Sequence, residues 1–168
     1  MGKQINYYLG FEPFREIAAL AAESGCVIVR ADYDRAEKRW SVHRGGPEVV
    51  VPDQYSYFFH LPEAGPLAVT DTPYGPRVDD GYNATGNAVI EAGFSRLNDD
   101  GPTRSRLFVI SGYYDEGENW VPRPDCMTKL YEKLARRVKK LAPYVQPRGW
   151  RYKTYADPAL LPLLERDD

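Results

Sequence analysis

RLFVISGYYDEGENW (Arg106–Trp120), followed after four residues by DCMTKLYEKLARRVKKLA (Asp125–Ala142), is the stretch on which the fold turns. Arg106–Tyr114 is apolar on both faces at its centre, the pattern of a strand with neighbours on either side and cover above and below. Asp115–Asn119 is rich in turn-forming residues, so Trp120-Val121 is expected to run back beside the first strand until Pro122 and Pro124 end it. The next segment changes period. Met127, Leu130, Leu134, Val138 and Leu141 recur at helical spacing, and Lys129, Lys133, Arg136, Arg137, Lys139 and Lys140 occupy the remaining surface. Asp125 is expected to cap this helix. The cations gather at its C-terminal end, where the helix dipole favours them, and Pro143 stops it.

Working back to the N-terminus, Lys3–Leu9 (KQINYYL) reads as a strand that Gly10 breaks. Pro13 fits a first helical turn, and Phe14, Ile17, Ala18 and Ala21 form one helical stripe that Ser24-Gly25 terminates. Cys26–Arg30 is a β-branched run. The opening is therefore strand, helix, strand, with the two strands running in the same direction in one sheet. Asp32–Lys38 reads as a charged loop. Trp40–Val42 and Glu48–Val51 are short apolar pieces around Gly45-Gly46-Pro47, and Gln54–Leu61 is a strand by its alternation. Leu67–Thr70 is a weak strand between turn-rich segments. Val78–Asn87 is a polar loop, and Ala88–Leu97 is a strand with Ala88, Ile90, Ala92 and Phe94 on one face and Glu91 on the other. The predicted fold is α+β: a mixed, mainly antiparallel sheet with an N-terminal βαβ unit and a C-terminal amphipathic helix packed on it. Residues 1–143 form the expected domain. Residues 144–168, with Pro147, Pro158 and Pro162, form an arm with at most one short helix.

Composition narrows the function classes. With 168 residues and 43% hydrophobic content, the chain can bury roughly two-thirds of its unfolded surface without disulfide or metal support. A net charge of −2 speaks against nucleic acid as the principal partner. A mixed first nine residues and the lack of a long apolar run lead to a cytoplasmic, non-membrane expectation. Cys26 and Cys126 lie far apart with no metal-type spacing, so free thiols are expected, and no metal or cofactor. The unusual count is aromatic: 13 Tyr, 6 Phe and 3 Trp. A tyrosine joins an apolar ring to a hydroxyl that needs a partner, which suits sheet faces and binding surfaces alike.

Three constellations could carry chemistry. The loop Asp79–Asn87 holds Asp80, Tyr82 and Asn83, and Glu91 follows on a polar strand face. A carboxylate beside Tyr and Asn could act as a general base, whereas pairing with Arg96, Arg104 or Arg106 would make Glu91 structural. His60 and Glu63 flank Pro62 and lack metal-ligand spacing. The basic helix, with Tyr131 among its charges and Arg148–Tyr152 beyond it, has the cation-plus-aromatic composition of nucleic-acid surfaces. A helix with one apolar stripe nonetheless shows solvent its polar side in any case.

Two stretches together, GKQINYYL (Gly2–Leu9) and RLFVISGYYD (Arg106–Asp115), resemble a family of small bacterial proteins associated with polymorphic-toxin and immunity loci. The second stretch continues through Trp120, Arg123-Pro124, Lys129–Tyr131 and Arg137–Leu141. The resemblance implies a setting without assigning catalytic residues. The resulting expectation is a non-catalytic intracellular module that binds a cognate protein toxin. Tyr113, Tyr114, Trp120, Arg123, Arg137 and Lys140 are the candidate contact residues, because Tyr, Trp and Arg dominate binding hot spots. The alternatives are a small enzyme using Glu91, Asp80, Asn83 and Tyr82, and a nucleic-acid-binding module using the basic helix.

Overall fold

The computed structural model describes residues 2–54, 56–79, 85–94, 105–142 and 144–146, with Tyr144 and Gln146 described by their backbone only. Two helices, α1 (Phe11–Glu23) and α2 (Asp125–Leu141), lie on one face of a sheet that has seven strands among these residues. In spatial order the strands are β11 (Tyr144–Gln146), β1 (Gly2–Tyr8), β8 (Ser105–Ile110), β7 (Val89–Gly93), β4 (Ser56–His60), β2 (Val27–Asp34) and β3 (Arg39–Gly45). Every neighbouring pair is antiparallel. The α+β expectation holds, including the N-terminal strand-helix-strand unit and the C-terminal helix.

β1 and β2 point the same way, as the opening predicts, but three strands separate them. α1 carries the chain across the intervening strands, with Phe14, Ile17, Ala18 and Ala21 buried in the core beneath it. Phe14 meets Tyr57 of β4 at 5.1 Å and Phe94, just past β7, at 5.4 Å between ring centres, so α1 packs over two of the strands in the gap. Gly25, at φ 100°, turns the chain out of α1 where an L side chain would be strained. The sequence stripe of α2 is buried as expected, with Leu141 half-buried at its end, but Pro124 rather than Asp125 is the N-cap and Asp125 is the first helical residue. Tyr131, grouped by sequence with the basic surface, is instead buried and donates its hydroxyl to the Leu107 carbonyl at 3.3 Å.

β2 runs to Asp34, so the first three residues of the predicted charged loop are strand and residues 35–38 are the turn, and Arg39–Gly45 completes a long hairpin with it. The weak strand expected at Leu67–Thr70 is β5 (Val69–Thr72), and it forms a small hairpin with an unexpected strand, β6 (Gly75–Val78). The small hairpin covers part of the second sheet face, where Val29, Phe58, Val78 and Val89 make a lesser core. The apolar run from Arg106 is not one strand to Tyr114. Ser111 is a bend, after which β9 (Gly112–Tyr114) leaves the main sheet and pairs with β10 (Trp120–Pro122). Tyr144–Gln146, assigned by sequence to the arm, pair with β1, and residues 147–168 lie outside the described residues.

Tyr7 closes the centre of the sheet. It is fully buried, and its hydroxyl bonds both backbone groups of Gly93: it donates to the carbonyl and accepts the N–H at 3.2 Å. One phenol thus ties β1 to β7, two strands away. Burial pushes the pKa of this hydroxyl up from the ordinary tyrosine value, against the lowering effect of the Gly93 hydrogen bond.

Candidate functional site

The β9–β10 hairpin stands off the sheet beside the start of α2. Its shape follows from local chemistry. Asp115 donates its N–H to the Asn119 carbonyl at 3.0 Å, and Glu118 donates to the Asp115 carbonyl at 3.0 Å. The Asp115 carboxylate accepts from the N–H groups of Gly117 at 2.9 Å and Asn119 at 2.8 Å. Glu118 takes the left-handed position of the three-residue loop, at φ 59°. The base is anchored in the domain. Arg123 donates its backbone N–H to Ser111 at 2.8 Å, while its guanidinium bonds the Ile110 carbonyl at 2.7 Å and Thr128 Oγ1 at 2.8 Å. Gly112 lies against the Val121 carbonyl and 2.6 Å, from the place of a Cβ, from the Trp120 ring, so no side chain fits there.

This anchoring presents two rings outward. Tyr114 and Trp120 oppose each other across the hairpin, with ring centres 5.0 Å apart and planes at 62°. They are 69% and 47% exposed, among the few large hydrophobic side chains left in solvent. Asp115, Glu116 and Glu118 lie in the loop that joins them, exposed and without an ion pair among the described residues. An apolar pair beside an acidic loop, held by a rigid base, can seat itself on a protein surface with little ordering cost.

The other candidates fall in different places. Tyr113 is half-buried at the hairpin base. Arg123 is turned inward as the anchor just described, so it positions the aromatic pair instead of joining it. Arg137 and Lys140 are exposed on α2 but lie 12 and 15 residues past its first residue, roughly 18 and 22 Å along the axis. They do not form one patch with the hairpin. Glu91 sits on the sheet face away from the helices, opposite Phe58 and Phe108 on the neighbouring strands. It pairs with Arg106, whose guanidinium also lies 4.9 Å from the centre of the Phe108 ring. That is the arginine partner the sequence offered, and it engages a carboxylate oxygen that a general base would use. Asp80, Tyr82 and Asn83 lie outside the described residues.

Among the described residues no group of three or more His, Cys, Asp or Glu side chains stands close enough to hold a metal, and no helix is long and apolar enough to cross a membrane. His60 is occupied by the Gly65 carbonyl at 2.9 Å. Both cysteines are free thiols, and burial pushes the Cys26 thiol up to about 12, which keeps it protonated and unreactive.

One feature escaped the sequence reading. The β2–β3 hairpin repeats the design of β9–β10. Tyr33 faces Trp40 across it with ring centres 5.0 Å apart, the Asp34 carboxylate accepts from Ala36 and Glu37, and Lys38 takes the left-handed position at φ 54°. The signal was available: Tyr-Asp followed by Trp appears twice, at Tyr33-Asp34/Trp40 and Tyr114-Asp115/Trp120. No protein-family model matches this chain, and neither a curated protein nor a solved structure does.

Proposed function

We propose that this protein is a non-catalytic protein-binding module of the immunity type, acting inside the cell by occupying a cognate toxin. The observation that carries the reading is the Tyr114–Trp120 pair, exposed on a hairpin whose base is fixed by Arg123 and Gly112. Tyrosine and tryptophan bury large area for few frozen rotors, which is why they dominate hot spots. The carboxylates of Asp115, Glu116 and Glu118 in the loop that joins them favour a partner whose docking site is basic, and they would speed encounter at low salt. The resemblance of Gly2–Leu9 and Arg106–Asp115 to proteins of toxin and immunity loci supports the same setting.

The test is co-expression with the polypeptide encoded by the adjacent gene. That neighbour should arrest growth alone and be neutralised by this protein. Tyr114→Ala and Trp120→Ala together should weaken the complex by roughly a thousandfold, since each hot-spot truncation costs about 2 kcal/mol or more. A neighbour that is harmless, or that stays toxic beside the wild-type protein, rejects the immunity reading. Full protection by a folded double variant rejects the hairpin as its surface.

A further inference from the structure

The sheet face away from the helices carries a cleft of about 400 Å³ between the main sheet and the β5–β6 hairpin. Alternation brings its floor together: Ala31 and Tyr33 on β2, Trp40 on β3, and Ser56 and Phe58 on β4 all project to this side. Arg77 and Val78 of β6 form the opposite wall. This wall is fixed in place. The Trp40 N–H donates to the Tyr74 carbonyl at 2.5 Å, and Gly75, at φ 101°, lies so close to the Trp40 backbone that a Cβ would collide with its carbonyl. Gln54 spends its amide N–H groups on the carbonyls of Ala31 at 2.8 Å and Ser56 at 3.1 Å, which leaves its Oε1 as an acceptor beside the cleft.

The chemistry of the lining is uneven. Tyr33 and Trp40 provide adjoining ring faces and Phe58 an apolar floor. Arg35 and Arg77 add two exposed guanidinium groups, neither in an ion pair among the described residues. Arg30, Arg106 and Lys3, by contrast, are held by the carboxylates of Asp32, Glu91 and Glu132. Two uncompensated cations beside aromatic surface suit a ligand that brings a ring and a negative charge together. The cleft lies within the usual size range of small-molecule sites, roughly 300–1,000 Å³.

We propose that this cleft binds a small molecule consisting of a planar aromatic ring joined to a compact anion, phosphate or carboxylate. The ring stacks on Trp40 and Tyr33, and Arg35 and Arg77 hold the anion. The site is separate from the hairpin of Tyr114 and Trp120 and does not depend on the protein-binding role.

Calorimetric titration of the full chain tests it with four probes: adenosine 5′-monophosphate, 4-hydroxybenzoate, adenosine and inorganic phosphate. The first two differ in the source of the anion, and the last two each lack one half of the pharmacophore. At least one of the ring-anion probes should bind with a Kd of roughly 10–100 µM, at least tenfold tighter than adenosine or phosphate. Arg35→Gln with Arg77→Gln should lose at least tenfold while its melting temperature stays within a degree or two, because both side chains are exposed. Failure of both ring-anion probes to bind below about 1 mM overturns the proposal. So does undiminished binding by the folded double variant, or phosphate binding as tightly as either ring-anion probe.

Discussion

Removing one oxygen atom, by Tyr7→Phe, tests how the sheet is held together. The ring stays and the core volume hardly changes, so the cost is almost purely one of hydrogen bonding. Tyr7 is buried completely, and its hydroxyl serves both the carbonyl and the N–H of Gly93. Two net hydrogen bonds contribute roughly 0.5–1 kcal/mol each, and a buried peptide group left without its partner adds roughly 1–2 kcal/mol. The expected loss is therefore about 2–4 kcal/mol, a large share of the ~5–15 kcal/mol typical of a domain. In urea unfolding with a slope near 2 kcal/mol/M, the midpoint should fall by about 1–2 M. A second arm uses pH. The folded pKa of Tyr7 is raised by burial, so its stabilising contribution is complete below the unfolded value of 10 and is lost as pH rises above it. Phenylalanine has nothing to lose, so the gap between the two proteins should narrow by about 1.4 kcal/mol per pH unit above pH 10. A destabilisation under 0.5 kcal/mol at pH 8, or a gap unchanged between pH 8 and pH 11, would refute the role given to this hydroxyl.

Three further outcomes follow from the same structure. Glu118→Gly removes a left-handed conformation that costs an L residue ~1–2 kcal/mol; after the added freedom of unfolded glycine, a gain of about 0.5–1 kcal/mol should raise the melting temperature by a few degrees. Arg123→Leu keeps much of the buried stem but abandons the Ile110 carbonyl and Thr128, so it should cost about 1–3 kcal/mol; hydrogen exchange at the amides of Gly112–Tyr114 and Trp120–Val121 should speed up before that of β8. Alkaline titration should unfold the wild type cooperatively. Cys26, Tyr57 and Tyr131 are pushed up to about 12 by burial and Tyr7 is raised as well, so stability present below pH 9 drains away between pH 9 and 12, as circular dichroism would follow. A flat stability profile to pH 12 contradicts the burial of all four.

Much of the architecture was legible because it depends on short-range pattern. The stripes Phe14, Ile17, Ala18, Ala21 and Met127, Leu130, Leu134, Val138 could only be helix faces, and each of those residues is buried in the core. The alternation at Ile90, Ala92 and Phe94 assigned a core face, leaving Glu91 on the other, where Arg106 meets it. The aromatic hairpin was read as a turn flanked by strands, and it is one. What sequence missed was side-chain destination. Tyr131 sits within a basic run, yet its hydroxyl has a carbonyl to reach only because β8 passes beneath α2. Arg123 looks like a contact residue until Ile110 and Thr128 are brought beside it.

The amphipathic helices, the strand faces and the turn at Asp115–Asn119 were thus determined by the sequence alone, because periods of two and 3.6 residues are imposed by backbone geometry and turns by local residue chemistry. Strand order was not. Nothing local says that β1 and β2 stand three strands apart, or that β8 and β7 enter between them, since pairing across such separations depends on how α1 and α2 cover the whole sheet. The same holds for the two surfaces proposed for function. Tyr114 and Trp120 are exposed because the chain leaves the main sheet at Ser111. Trp40, Phe58 and Arg77 line one cleft only because the β5–β6 hairpin folds onto β3, and that docking is a property of the tertiary structure.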